Sequence, residues 1–180
     1  MNKIPENIYL VGLMGAGKTT IGRSLARRLD WRFIDTDKEI ERRTGVSIPT
    51  IFEIEGEEGF RRRETQVIAD ISGEKAQVVA TGGGSVLREE NRAAIRAGGF
   101  TVYLNVPLRM LWERTRHDKH RPLLQVADPL SKLSQLFTAR DPLYREVADL
   151  VVDGERMSAQ GVLQHLLKEW LERRKAEDSP

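Results

Sequence analysis

Gly12-Leu13-Met14-Gly15-Ala16-Gly17-Lys18-Thr19 is the stretch from which the fold of this 180-residue chain can be read. It satisfies G-x-x-x-x-G-K-[ST] at every fixed position. Glycines at this spacing let successive backbone N–H groups turn inward around a phosphate, and the helix that follows presents its positive end to the same anion. Lys18 supplies a point charge for the outer phosphates, and the Thr19 hydroxyl is placed to ligate Mg²⁺. A glycine-rich turn matching by chance is the bland alternative, and the flanking sequence argues against it. The apolar, β-favouring run Asn7-Ile8-Tyr9-Leu10-Val11 stops at Gly12. From Lys18 the period changes, with Ile21, Leu25 and Leu29 on one helical face and Arg23, Arg27 and Arg28 on the other. Strand, loop, helix is the context this motif requires.

Outward from the loop the same alternation continues. Trp31 to Ile34 is a second short strand ending in Asp35-Thr36-Asp37. Helical segments are expected over Lys38 to Thr44, Pro49 to Glu55 and Glu57 to Ile71. Strand Gln77 to Ala80 then ends in Thr81-Gly82-Gly83-Gly84. A helix over Glu89 to Ala97 leads to strand Phe100 to Asn105, and Pro107 can open a helix reaching Arg116. His117 to Asp128 breaks the rhythm: it is charged, contains Arg121-Pro122, and reads as a functional or disordered segment. A helix from Pro129 to about Arg140, another around Tyr144, strand Leu150 to Val152 and an amphipathic helix Ala159 to Arg173 complete the chain, with a polar, frayed tail from Lys175. Alternating strands and helices predict one α/β domain, a parallel sheet covered by helices on both faces.

Composition narrows the function. Charge is nearly balanced, with 29 Lys+Arg against 27 Asp+Glu, so the large basic excess of a general nucleic-acid binder is missing. Cysteine is absent, which excludes disulfides and thiolate metal sites and is consistent with the cytosol. No window approaches the roughly 20 apolar residues of a membrane span. A cytoplasmic monomer without nucleic-acid or membrane partners is expected.

Several residues are candidates for chemistry. Asp35 and Asp37 sit at the carboxyl edge of a strand, where ligands bind in open α/β sheets. One could face a metal's water shell and the other a substrate hydroxyl, while helix N-capping is the structural alternative for either. Arg61-Arg62-Arg63 lies in a helical segment, where steps of about 100° scatter neighbours, so one or two at most can face a pocket. Glu64 is three residues after Arg61 and could brace it. Three consecutive glycines, Gly82 to Gly84, point to close backbone approach or to a flexible loop. Arg121 reads as a guanidinium on a lid or as one more charge in an exposed loop. Arg140 could clamp an anion through its two-pronged donor fork or cap a helix end.

Taken in order, GLMGAGKTT, DTD, FRRRE, TGGG, RPLL and RDPLY resemble the series found in the shikimate kinase family, over about Asn7 to Asp153. The resemblance implies a five-stranded parallel sheet in the order 2-3-1-4-5, a P-loop NTPase-type three-layer fold, with a substrate-binding region over about 38–72 and a lid over about 116–128. It implies transfer of the ATP γ-phosphoryl group to the 3-hydroxyl of shikimate. Gly15, Ala16, Gly17, Lys18, Thr19 and Thr20 would hold the nucleotide, with Arg114 stacked on adenine. Thr19 and Asp35 would serve Mg²⁺. Asp37 would bind shikimate hydroxyls and act as base, Arg61 and Arg140 would clamp its carboxylate, and Gly82, Gly83 and Gly84 would approach it through their backbone. Lys18 and Arg121 would bear on the transferring phosphoryl group. The loop near Gly154 to Ala159 matches the family's adenine-contacting loop only loosely. Another metabolite kinase, for gluconate or a nucleoside monophosphate, is the nearest rival, and DTD, TGGG and the paired arginines weigh against it. A GTPase-like switch is a second, and the chain lacks the Asn-Lys-x-Asp base-reading motif such switches carry. A protein that binds ATP without turnover is disfavoured by the presence of both Lys18 and Asp37.

Overall fold

A computed structural model describes residues 6–177. Five strands, β1 (Asn7–Val11), β2 (Arg32–Asp35), β3 (Gln77–Ala80), β4 (Gly99–Asn105) and β5 (Leu150–Asp153), form one sheet in the order β2-β3-β1-β4-β5. Every neighbouring pair is parallel, with Leu10 opposite Ala80 and Val102 on either side. β1 lies in the middle of the sheet, and the loop that follows it opens at the point where the chain's connections diverge to either side.

The strands are apolar almost throughout because both faces are covered. Ile8, Leu10, Val78, Phe100 and Val102 join Ile21 and Leu25 of α1 (Lys18–Leu29) and Leu163, Leu166 and Trp170 of α7 (Ala159–Glu177) in one core. Tyr9, Ile34 and Val79 face the other way, onto Phe60, Val67, Ile68 and Ile71 of α3 (Ile48–Ser72) and Ile95 of α4 (Glu89–Gly98). The two-residue alternation of the strands thus sets Ile8 and Leu10 against Tyr9, and Val78 against Val79, on opposite faces. α2 (Thr36–Thr44) leads into α3, and the expected break between Glu55 and Glu57 falls at Gly56, whose φ of 70° and ψ of −179° interrupt the helix. A side chain would be strained in that conformation.

Two expectations need correction. The helix expected to stop near Arg140 and restart around Tyr144 is one element, α6 (Pro129–Val147), which runs through Pro142. An interior proline costs about 3 kcal/mol, yet Leu133, Arg140, Tyr144 and Val147 are buried on one face along both halves. Packing that spans the proline outweighs the lost hydrogen bond. α7 likewise continues past Arg173 to Glu177, so the expected tail begins inside the helix, and 178–180 lie outside the described residues. Between α5 (Leu108–Thr115) and α6 the irregular stretch contains a single 3₁₀ turn, Pro122–Leu124, pinned by the buried side chain of Leu124.

Candidate active site

The phosphate loop begins where β1 ends and closes where α1 begins. Gly15 has φ +83°, and a β-carbon there would lie 2.8 Å from Thr115 Cγ2 of α5, so both conformation and space demand glycine. Lys18 Nζ reaches back across the loop and donates to the carbonyls of Gly12 and Leu13, at 2.6 and 3.0 Å. Its burial draws its pKa down to about 8, against the pull of Asp37. An ammonium this poorly solvated gains strongly from an approaching phosphate.

Parallel pairing sets the carboxyl end of β2 near the start of α1. Thr19 Oγ1 donates to Asp35 Oδ2 at 2.8 Å, and Asp35 Oδ1 accepts from the N–H groups of Asp37 and Lys38 at 3.0 and 3.2 Å. Asp35 therefore takes the capping role the sequence offered and also turns its other oxygen toward Thr19. Hydroxyl and carboxylate are the hard oxygen donors Mg²⁺ prefers, so the pair fits that ion. Among the described residues there is no group of three or more His, Cys, Asp or Glu able to cage a metal. Asp37 is not a cap. Its Oδ1 is buried without a hydrogen-bond partner, and burial first, then Glu64 and Asp35, push its carboxyl up to about 7.

The same edge of β3 carries the glycine segment, tied to β2's end by the Gly82 N–H to Thr36 Oγ1 bond at 2.9 Å. A β-carbon on Gly82 would meet Asp37 Oδ1 at 2.7 Å and Glu64 Oε2 at 2.8 Å. Both oxygens are buried and unpartnered, so two carboxylates converge on one glycine. Arg61 packs as closely on Gly84, where a β-carbon would lie 2.4 Å from its guanidinium nitrogens. Of the three arginines only Arg61 turns inward, at 6% exposure; Arg62 and Arg63 are exposed, and Arg63 pairs with Glu55. Glu64 does brace Arg61, accepting from Nη1 at 2.9 Å, yet Arg61 Nε stays unpartnered. Arg140, 2% exposed, lies beside Gly83, and its pKa is lowered by burial and by the neighbouring charge of Arg61. Arg61 already pairs with Glu57 and Glu64, whereas Arg140 has no carboxylate partner among the described residues, and both buried cations stand near the glycine segment.

A cleft of about 760 Å³ runs over the phosphate loop, large enough for a nucleotide and a small metabolite. Lys18, Thr19, Thr20, Asp35 and Asp37 line it together with Gly82 and Gly83, and Arg114 and Arg121 close one side. Arg114 Nη1 donates to the Gly15 carbonyl at 2.9 Å, and Arg121 Nε to Asp118 Oδ2 at 3.0 Å. Arg61 and Arg140 pack against the glycine segment, and neither they nor Gly84 line this cleft. Sequence reasoning had placed no residue after β5, whereas Gly154, Met157 and Val162 form part of the wall. Their signals were position, at a strand's carboxyl edge, and a loose match of the loop near Gly154 to Ala159 to the family pattern. It also gave no role to Tyr144, whose four-residue spacing from Arg140 was the available clue.

A family model described as shikimate kinase matches residues 14–171. The shikimate kinase of Dechloromonas aromatica is 64% identical over 165 residues, covering 92% of this chain and 90% of the relative. That of Aromatoleum aromaticum is 57% identical over 161 residues, covering 89% and 92%. Among solved structures, shikimate kinase from Acinetobacter baumannii in complex with shikimate superposes with a TM-score of 0.91 at 50% identity, covering 94% of each chain.

Proposed function

The chain belongs to the shikimate kinase family, and from that premise we propose how its own residues carry out the reaction. The reaction is transfer of the ATP γ-phosphoryl group to the 3-hydroxyl of shikimate, giving shikimate 3-phosphate and ADP. Phosphoryl transfer asks for positioning and charge stabilisation more than for covalent chemistry, and the roles follow from that.

The loop N–H groups from Gly15 to Thr20 hold the phosphates, and Lys18 exchanges its two carbonyl acceptors for phosphate oxygens. Thr19 and Asp35 hold Mg²⁺, which when bound neutralises charge on the outer phosphates. Arg114 and the wall formed by Gly154 and Met157 flank the adenine. Arg61 and Arg140 take the shikimate carboxylate, a reading supported by their burial side by side and by the free Nε of Arg61. Gly82, Gly83 and Gly84 let substrate and arginines approach the backbone, and at Gly82 and Gly84 any side chain would collide. Asp37 accepts the proton of the 3-hydroxyl as that oxygen bonds to phosphorus, and the bond from phosphorus to the ADP oxygen breaks. Arg121, carried by a lid over about 116–128, draws the developing charge and excludes water that would otherwise hydrolyse ATP. The region 38–72 supplies the substrate side of the site, and the protein works as a cytoplasmic monomer; among the described residues no helix is long and apolar enough to cross a membrane.

The observation that carries these roles is the unpartnered Oδ1 of Asp37, a base poised near neutrality in the same cleft as Lys18. ADP release measured with shikimate, gluconate, quinate and nucleoside monophosphates, for the parent, Asp37→Asn and Asp35→Asn, tests it. Turnover with shikimate that collapses in Asp37→Asn, and an increased Mg²⁺ requirement in Asp35→Asn, are expected. Near-parental kcat in Asp37→Asn alongside its loss in Asp35→Asn would reverse the two roles.

A further inference from the structure

The geometry points to Tyr144 as a positioning residue for substrate recognition, one that fixes the Arg140 guanidinium and the Gly83 backbone in a single arrangement. The inference rests on the reading of Arg140 as a carboxylate clamp. Arg140 and Tyr144 are one helical turn apart on α6, so their side chains leave the same face, and both are almost completely buried. The Tyr144 hydroxyl donates to the carbonyl of Gly83. The Arg140 guanidinium lies close enough to the Tyr144 hydroxyl for each group to perturb the other's charge state, and its Nη1 lies 3.5 Å from the position of a β-carbon on Gly83.

A phenol has one proton to give and two lone pairs to offer. With the proton committed to Gly83, only lone pairs remain to face a neighbouring cation, here the Arg140 guanidinium. Burial pushes the phenol's pKa upward, so the proton stays in place at working pH. The ring itself cannot swing: it packs on Tyr103, with centroids 5.0 Å apart at 35°. Tyr103 takes no part in the clamp, because its own hydroxyl donates to Asp141 Oδ1 at 2.8 Å. Tyr144 thus joins a glycine on the cleft wall to an arginine behind it, holding a cation that Arg61 would otherwise repel.

Tyr144→Phe removes one oxygen and keeps the ring. The KM for shikimate should rise roughly five- to tenfold, within the range of one ordinary net hydrogen bond acting at one remove from the substrate, while kcat stays within about twofold and the KM for ATP does not change. A shikimate analogue carrying a neutral carboxamide in place of the carboxylate should show no such penalty in the variant. Combined with Arg140→Lys, the substitution should add little to the effect of Arg140→Lys alone. Unchanged KM for shikimate in Tyr144→Phe, or an equal loss with acid and carboxamide, overturns the role of Tyr144 while the clamp stands. An Arg140→Lys variant with parental KM for shikimate would instead remove the clamp on which the inference rests.

Discussion

In Asp37→Asn, the carboxyl that burial, Glu64 and Asp35 push up to about 7 is exchanged for a neutral amide of nearly the same size. Folding raises its proton affinity, so between about pH 4 and 7 the folded chain holds a proton that the unfolded chain has released. Stability therefore falls as pH rises through that window and stays at the lower level above it. A group moved from 3.8 to about 7 costs roughly 4 kcal/mol once ionised, at about 1.4 kcal/mol for each tenfold change. Asparagine has no proton to lose, and its amide sets a donor where Asp37 Oδ1 and the unpartnered Glu64 Oε2 converge on Gly82. Coupling between the two carboxylates makes the realised gain smaller than the ceiling. The ligand-free variant should be more stable than the parent by about 2–4 kcal/mol near pH 8, with little difference near pH 4. Loss of the base should at the same time lower kcat by about 10²–10⁴. Urea unfolding of both proteins across this pH range, beside steady-state kinetics, measures the two effects. A variant no more stable than the parent near pH 8 would refute the reasoning, since Asp37 would then not be held against its preferred charge state.

The parent's kcat/KM for shikimate should decline below about pH 7 as Asp37 takes up its proton, and kcat/KM for ATP should decline above about pH 8 as Lys18 loses its own; pH profiles flat from 6 to 9 would contradict both assignments. Arg61→Lys keeps the charge but loses the fork, so shikimate binding should weaken roughly tenfold to a hundredfold, at about 1.5–3 kcal/mol for a charge-assisted bond, with ATP binding nearly unaltered in calorimetry. Gly84→Ala should reproduce that selective loss, because its β-carbon would fall 2.4 Å from the Arg61 guanidinium; equal loss for both ligands would indicate a structural defect instead. Backbone hydrogen exchange over His117 to Asp128 should slow only when shikimate and an ATP analogue are both bound, and exchange indifferent to both would remove the lid.

The sequence alone determined the parts of this protein that depend on local chemistry. The spelling of Gly12 to Thr19 selects a phosphate loop, because only glycines at that spacing let the backbone wrap an anion. Short apolar runs alternating with amphipathic helices specify a parallel sheet with two covered faces, since period and length are local properties of the chain. Strand ends in Asp35-Thr36-Asp37 and Thr81 to Gly84 mark the carboxyl edge of the sheet, where the cleft lies. The motif series supplied the family, and with it the sheet order that the structure displays.

What the tertiary structure decided is where residues from separate elements meet. Helical periodicity alone could not choose among Arg61, Arg62 and Arg63. The structure selects Arg61 because that position faces Gly84 at the end of β3. Asp35 capped α2 and faced Thr19 at once, because the assembled sheet, with β3 between β2 and β1, brings the carboxyl end of β2 to the start of α1. Pro142 stayed inside a helix because buried side chains on both sides of it share one face, a packing effect larger than the local penalty. The convergence of Asp37 and Glu64 on Gly82, and of Tyr144 on Arg140 and Gly83, depends on strand order and helix rotation. Their strength comes from burial, which magnifies charge and leaves each unmade hydrogen bond uncompensated, and burial is a property of the assembled fold.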